Sequence, residues 1–147
     1  MTTKRELIMA EVFSLLSNSS SPVTGVPVSR VYRNRAAALA RAEGSAIVIE
    51  AVSDTPDPES FHWLEWNLTL RIAVIVRAAQ PETTADAIVE SLFSKLMADP
   101  SLNSKCLDLA AGTVSFEVVD ADQPAAVISS DFVAIYRTEY NDLSNGD

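Results

Sequence analysis

From Trp63 to Arg77 the chain alternates with a period of two, and no other segment restricts its fold as strongly. Leu64, Trp66, Leu68, Leu70, Ile72, Val74 and Val76 fall on one parity. Trp63, Glu65, Asn67, Thr69, Arg71, Ala73, Ile75 and Arg77 fall on the other. Successive side chains of a strand point to opposite faces, so this is a strand with one core face and one mainly polar face. Strands usually run about 5–6 residues. One more than twice that length outruns the body of a small domain and is expected to bend at a bulge.

Helical patterns flank the β segments. Thr3 and Glu6 have capping-box spacing, and Ile8, Val12, Leu15 and Leu16 make a buried stripe, which predicts a helix over 4–17. A second helix is predicted from about Thr84 to Ala98, capped by Thr83 or Thr84 and stopped by Asp99-Pro100. Its stripe is Ala85, Ile88, Val89, Leu92, Phe93, Leu96 and Met97, suited to the core face of the long strand. Val26 to Arg35 reads as a short β segment, and Ala36 to Ala42 as a helical turn closed by Gly44. Ala46 to Val52 carries apolar residues on both parities and is expected as a central strand, followed by a turn over Ser53 to Pro58.

The last third is β again. Val114, Phe116 and Val118 alternate with Ser115 and Glu117, residues 120–124 form a turn, and a long strand covers about Ala126 to Glu139. Around Val133 to Tyr136 both of its faces are apolar. One can lie under a helix, and another subunit is a natural cover for the other. The order of elements indicates an α+β fold with a mostly antiparallel sheet of long strands and two main helices on one face. Residues 1–140 form one domain, and 141–147 are expected as a disordered acidic tail.

Composition excludes several classes. The 147 residues are 48% hydrophobic and 21% charged, an ordinary globular balance that argues against disorder. Eleven basic against 20 acidic residues give a net charge of −9, a poor basis for gripping phosphates. DNA fits only as passing cargo in a channel that repels it. The apolar run from Ile72 to Val76 is bounded by Arg71 and Arg77, too short to span a bilayer. Glu6 and Glu11 interrupt any signal-peptide core, so the expected compartment is cytoplasmic.

Candidates for chemistry are few. His62 is the sole histidine and reads as a surface or edge imidazole, with a general base as the rival role. Cys106 is the sole cysteine, and its surroundings suit a packed small hydrophobe better than a nucleophile. One His and one Cys cannot complete a zinc shell. Asp54, Asp57 and Glu59 on one loop, and Asp120 and Asp122 on another, have the oxygen ligands a hard cation uses, but no EF-hand spacing. They read as solvated turn carboxylates. Four glycines fit no phosphate-binding motif. Arg30, Arg33 and Arg35 form a basic cluster suited to a partner surface or to solvent. No catalytic residue, cofactor site or metal site is assigned.

Interface candidates stand out more clearly. Trp63 shares the less apolar parity with Glu65 and Arg71, and Trp and Arg are enriched at interface centres. Ile75 lies on the same parity, and Val133 and Ile135 form the second apolar face of the last strand. These six are the expected oligomer contacts. The alternative for Trp63 is to cap the sheet edge of a monomer.

The order of segments also resembles a known family. It comprises the N-terminal amphipathic helix, Val31-Tyr32-Arg33-Asn34-Arg35, Ala46-Ile47-Val48-Ile49-Glu50 with its acidic Pro-containing loop, the long strand from Trp63, the helix Ala85 to Met97, Val114-Ser115-Phe116-Glu117 and the closing strand Ile128 to Thr138. This pattern resembles the tail terminator (minor tail protein U type, tail completion) proteins of bacteriophages and prophages over nearly the whole chain. The resemblance implies an α+β protomer in a hexameric homo-oligomer ring that caps the tail tube, ends its polymerisation and joins the head. Its partners would be the tail tube protein and a head-completion or connector protein, with no membrane. It would act in the bacterial cytoplasm during assembly and then in the virion tail. No catalytic residues carry over. The rivals are another head–tail connector or tube component, a non-catalytic small-molecule-binding α+β domain, and, last, an enzyme.

Overall fold

The computed structural model describes residues 2–33, 44–58, 62–119 and 125–145. The expected helical turn over Ala36 to Ala42, together with Arg35, Glu59, Asp120 and Asp122, lies outside them.

Helix α1 spans Lys4–Leu16, and Thr3 caps it by accepting the Glu6 N–H. The Glu6 carboxylate turns to Arg33, so only half of the capping box forms. A single 3-10 turn over Val28–Arg30 leads into β1, Val31–Tyr32. The longer strands are β2, Ser45–Pro56, and β3, Leu64–Arg77. Helix α2, Pro81–Met97, separates them from β4, Asp108–Val119, and β5, Ala125–Thr138. The sheet order is β1-β2-β3-β5-β4, antiparallel throughout except for β1 beside β2.

Both helices sit on one face. Ile8, Val12 and Leu16 of α1 and Ile88, Leu92 and Leu96 of α2 join Leu68, Leu70, Ile72, Val74 and Val76 of β3 in one core. Phe132, Ala134 and Tyr136 of β5 complete it. The opposite face holds a smaller cluster, Ala46, Val48, Ala73 and Ile75, with Tyr32 and Val127 packed against it.

Three details depart from the sequence expectations. The α2 caps are not Thr83 or Thr84. Gln80 is the N-cap, makes no side-chain cap bond, and Pro81 opens the helix. A proline suits the first helical position because its missing N–H would be unsatisfied there anyway. β2 lies between β1 and β3, yet among the described residues its outer neighbour β1 reaches only Ile47 and Val48. Its double apolar parity arises because Ile47 and Ile49 enter the main core while Ala46 and Val48 enter the small one. The C-terminal segment is turned rather than loose as far as Asn145. The Glu139 N–H donates to the Asn145 carbonyl, and the Lys4 N–H to that of Leu143.

β3 runs in unbroken register with β5, and one bulge lies in its other neighbour, β2. Its register against β3 shifts between Ala51 and Ser53. Before the shift, odd residues of β2 face the helices, with Ile49 opposite Ile72; after it, even residues do, with Asp54 opposite Leu68. A carboxylate is thereby turned toward the core side.

Candidate functional site

Of the six expected oligomer contacts, five are placed on the face opposite the helices. Glu65 lies opposite Arg137, and Arg71 opposite Asp131. Val133 is opposite Thr69, Ile135 opposite Asn67, and Ile75 opposite Val127. Trp63 is half-buried just before β3. This face is largely satisfied by the chain itself. Arg71 binds Asp131 with two hydrogen bonds, Nε to Oδ1 at 2.8 Å and Nη2 to Oδ2 at 3.2 Å, and these raise the guanidinium pKa further. Arg137 Nε donates to Glu65 at 3.2 Å. Ile75 is only 2% exposed, so it cannot act as an outward contact. Val133 and Ile135 are half-buried.

Outward apolar surface gathers at the sheet margins. β4 is an edge strand with no described strand on its outer side. Val114, Phe116 and Val118 lie opposite Ser130, Ile128 and Ala126, on the helix face. They extend beyond the cover of α2, and Phe116 is 74% exposed. Phe93 of α2 is also exposed and stacks at a tilt on Phe132, with centroids 6.1 Å apart. Between α2 and β4 runs a groove of about 330 Å³ lined by Val89, Phe93, Val114 and Phe132. Asp86 and Glu90 stand on its α2 wall. Ser130, in its lining, has a buried hydroxyl without a hydrogen-bond partner among the described residues.

A buried polar cluster lies at the other margin. Arg5 Nε donates to Asp54 Oδ2 at 2.6 Å, and the Tyr136 hydroxyl donates to the same oxygen. Tyr136 stacks on Trp66 at 6.3 Å, Arg5 lies over the Trp66 ring, and Trp66 Nε1 donates to Thr138 Oγ1 at 2.9 Å. Burial, then the bond to Asp54, pushes the Tyr136 hydroxyl well above its ordinary pKa. The local sequence pattern carries no sign of this cluster, because it puts Asp54 in a turn with Asp57 and Glu59. Asp54 belongs to β2, its side chain is 8% exposed, and it faces Arg5 rather than solvent. A bulge carries no consensus residue that would have revealed the change of parity.

The remaining candidates take ordinary places. His62 is exposed, with φ of 70°, just before β3. Cys106 is buried, and its thiol donates to the Pro100 carbonyl at 3.3 Å. Burial, then the charge of Asp108, pushes it up to about 11, so at neutral pH it is a thiol rather than a reactive thiolate. Arg30 Nη1 donates to the Tyr32 hydroxyl and lies over that ring, while Arg33 pairs with Glu6 at 2.7 Å. Among the described residues, no three His, Cys, Asp or Glu side chains form a group able to hold a metal ion. Among the described residues, no helix is long and apolar enough to cross a membrane.

No protein-family model matches the chain, and no curated protein matches it. The functional reading therefore rests on its own surfaces.

Proposed function

We propose that this chain is a structural subunit that assembles with copies of itself into a ring and caps a phage tail tube. The observation that carries the assembly step is β4: a 12-residue strand at the sheet edge with Val114, Phe116 and Val118 turned outward. Soluble chains usually protect such an edge with Lys, Pro or a covering loop. The described part of β4 has no Lys or Pro, and its one break is the register shift between Ala111 and Val114. An apolar edge of this kind is stable in solution once another chain covers it.

The tube-capping part of the proposal is supported by the resemblance of the segment order in the sequence to tail terminator proteins. A ring ends polymerisation when one rim matches the tube and the other presents a different surface. Contacts between neighbours are then heterologous and closed. The acidic balance suits a lumen through which DNA passes without sticking. On this reading the protein works in the bacterial cytoplasm during assembly and stays in the virion tail, between the tube and a head-joining protein.

Light scattering behind size exclusion, across a concentration series, tests assembly, and a closed species near six protomers is expected. Adding the protein to growing tail tubes tests capping. Tubes that keep lengthening at the control rate would refute the terminator role even if the ring forms. A small-molecule reading is favoured only by the groove beside Phe93. It predicts a monomer whose melting temperature rises with an apolar ligand.

A further inference from the structure

The groove between α2 and β4 is open because small residues line it. Ser94, Ala111, Gly112 and Ser130 leave a space of about 330 Å³. Small-molecule sites run from about 300 to 1,000 Å³ and are mostly apolar with a few placed polar groups. Phe93 and Phe132, in tilted contact, give this one an aromatic wall, and Val89 and Val114 extend it.

One polar group lies in the apolar lining. Ser130 sits between Ile128 and Phe132 on the helix-facing parity of β5, opposite Ile72 on one side and Val114 on the other. It is 3% exposed, and its hydroxyl has no hydrogen-bond partner among the described residues. A buried hydroxyl left without a partner is destabilising, and alanine would fill the same place without that cost. The hydroxyl is advantageous there once something in the groove brings a hydrogen-bonding atom to it.

The charge around the groove has one sign. Glu82, Asp86 and Glu90 follow one another at i, i+4 spacing on α2, about 6 Å apart along the helix, and all three are exposed. The helix dipole accounts for Glu82 in the first turn but not for Asp86 and Glu90 beyond it. Like charges at this spacing destabilise a helix. Among the described residues, no ion pair neutralises any of the three. Asp86 and Glu90 line the groove, and no Lys, Arg or His lines it with them. Lys95, the one cation of α2, donates to the Ser21 hydroxyl instead. Asp131, also in the lining, is held by Arg71. A cation is therefore what the mouth of the groove lacks.

We propose that the α2–β4 groove binds a small organic cation, a hydroxylated arylalkylammonium. Its ammonium group is held by Asp86 and Glu90, its ring packs against Phe93 and Phe132, and its hydroxyl meets Ser130. All three features border one space within a single chain, so the site needs no second copy and does not depend on the ring reading. It differs from a purely apolar site in requiring a positive charge.

The test titrates three compounds into the full chain and reads affinity by ligand-observed NMR. Tyramine carries both the ammonium and the ring hydroxyl. Phenethylamine lacks the hydroxyl, and tyrosol replaces the ammonium with a neutral alcohol. Tyramine is expected to bind at about millimolar concentration or below, as suits a ligand of its size. Tyrosol should bind about tenfold more weakly, and phenethylamine about fivefold. Asp86→Asn combined with Glu90→Gln should bring tyramine down to the affinity of tyrosol, and Asp86→Asn alone replaces the pair if the double variant does not fold. Ser130→Ala should melt no lower than the unmodified chain and should bind tyramine no more tightly than phenethylamine. No tyramine binding up to about 10 mM would overturn the proposal. So would equal affinity for tyramine and tyrosol, unchanged affinity in the charge variant, or an undiminished preference for tyramine in Ser130→Ala. Tyramine that dissociates an assembled species in light scattering would show that a second copy fills the groove, which also overturns it.

Discussion

Arg5 and Asp54 stand 49 positions apart and are joined from Nε to Oδ2 at 2.6 Å. The bond ties the first turn of α1 to the far end of β2, where Asp54 lies opposite Leu68 of the main core. The Tyr136 hydroxyl donates to the same oxygen, so one carboxylate joins α1, β2 and β5.

Asp54→Ala removes that junction and leaves a buried tyrosine hydroxyl without its acceptor. Charge-assisted bonds contribute about 1.5–3 kcal/mol, and the partial exposure of Arg5 places this loss near the lower end. The expected destabilisation is about 2 kcal/mol in urea unfolding. Asp54→Asn should lose less, since the amide oxygen can still accept. A change within about 0.5 kcal/mol for the alanine variant, the range of ordinary surface substitutions, would show that the junction is not structural.

Stability should fall on the alkaline side in two stages. The folded state holds the Cys106 thiol at about 11 against an ordinary value of 9.0, and holds the Tyr136 hydroxyl above its ordinary value. Both groups stay protonated in the folded chain after they ionise in the unfolded one. The unfolded state then binds fewer protons, so stability decreases as pH rises. The decline is expected from about pH 9 through Cys106 and to steepen above about pH 10 through Tyr136. Urea midpoints measured from pH 7 to 11 provide the check. Cys106→Ala should flatten the first stage and Tyr136→Phe the second.

Gly112 lies at the break in β4, where a Cβ would come to 3.0 Å from the Asp131 carbonyl oxygen. That neighbour is backbone of the paired strand and cannot swing aside. Gly112→Ala should cost about 1–2 kcal/mol, as overpacking generally does, and should loosen β4 against β5. Faster amide exchange confined to β4 and the adjoining residues of β5 would be the signature. A stabilised variant would mean the two strands separate without strain.

Much of the architecture was legible where side-chain periodicity is strict. The Leu64 to Val76 alternation gave β3 almost to the residue, and the stripe from Ala85 to Met97 gave the buried side of α2. Both signals are read from sequence-local spacing. The placement of Asp54 was not legible, because a single register shift in β2 exchanges the two faces and no residue type announces it. The Arg71 face looked available because Trp63, Arg71 and Ile75 share a parity. Its occupancy depends on Asp131, 60 positions away, and on Tyr32 and Val127 covering the small cluster. Pairings at that range are invisible to a period. The exposed run Val114, Phe116, Val118 was seen as a strand, but its edge position follows only from the strand order.

The register shift between Ala51 and Ser53 gives β2 one residue of slack in length. Val52, which is exposed, is the residue without an opposite number on β3. Deleting it would close the bulge and leave Ala51 opposite Leu70, Ser53 opposite Thr69 and Asp54 opposite Leu68, so Asp54 would keep its place beside Arg5. Losing Ser53 as well would set Asp54 against Thr69, on the face opposite the helices, and Arg5 would lose its anion. In a mutational scan this one position should therefore accept both replacement and removal, while removal of the pair should be rejected.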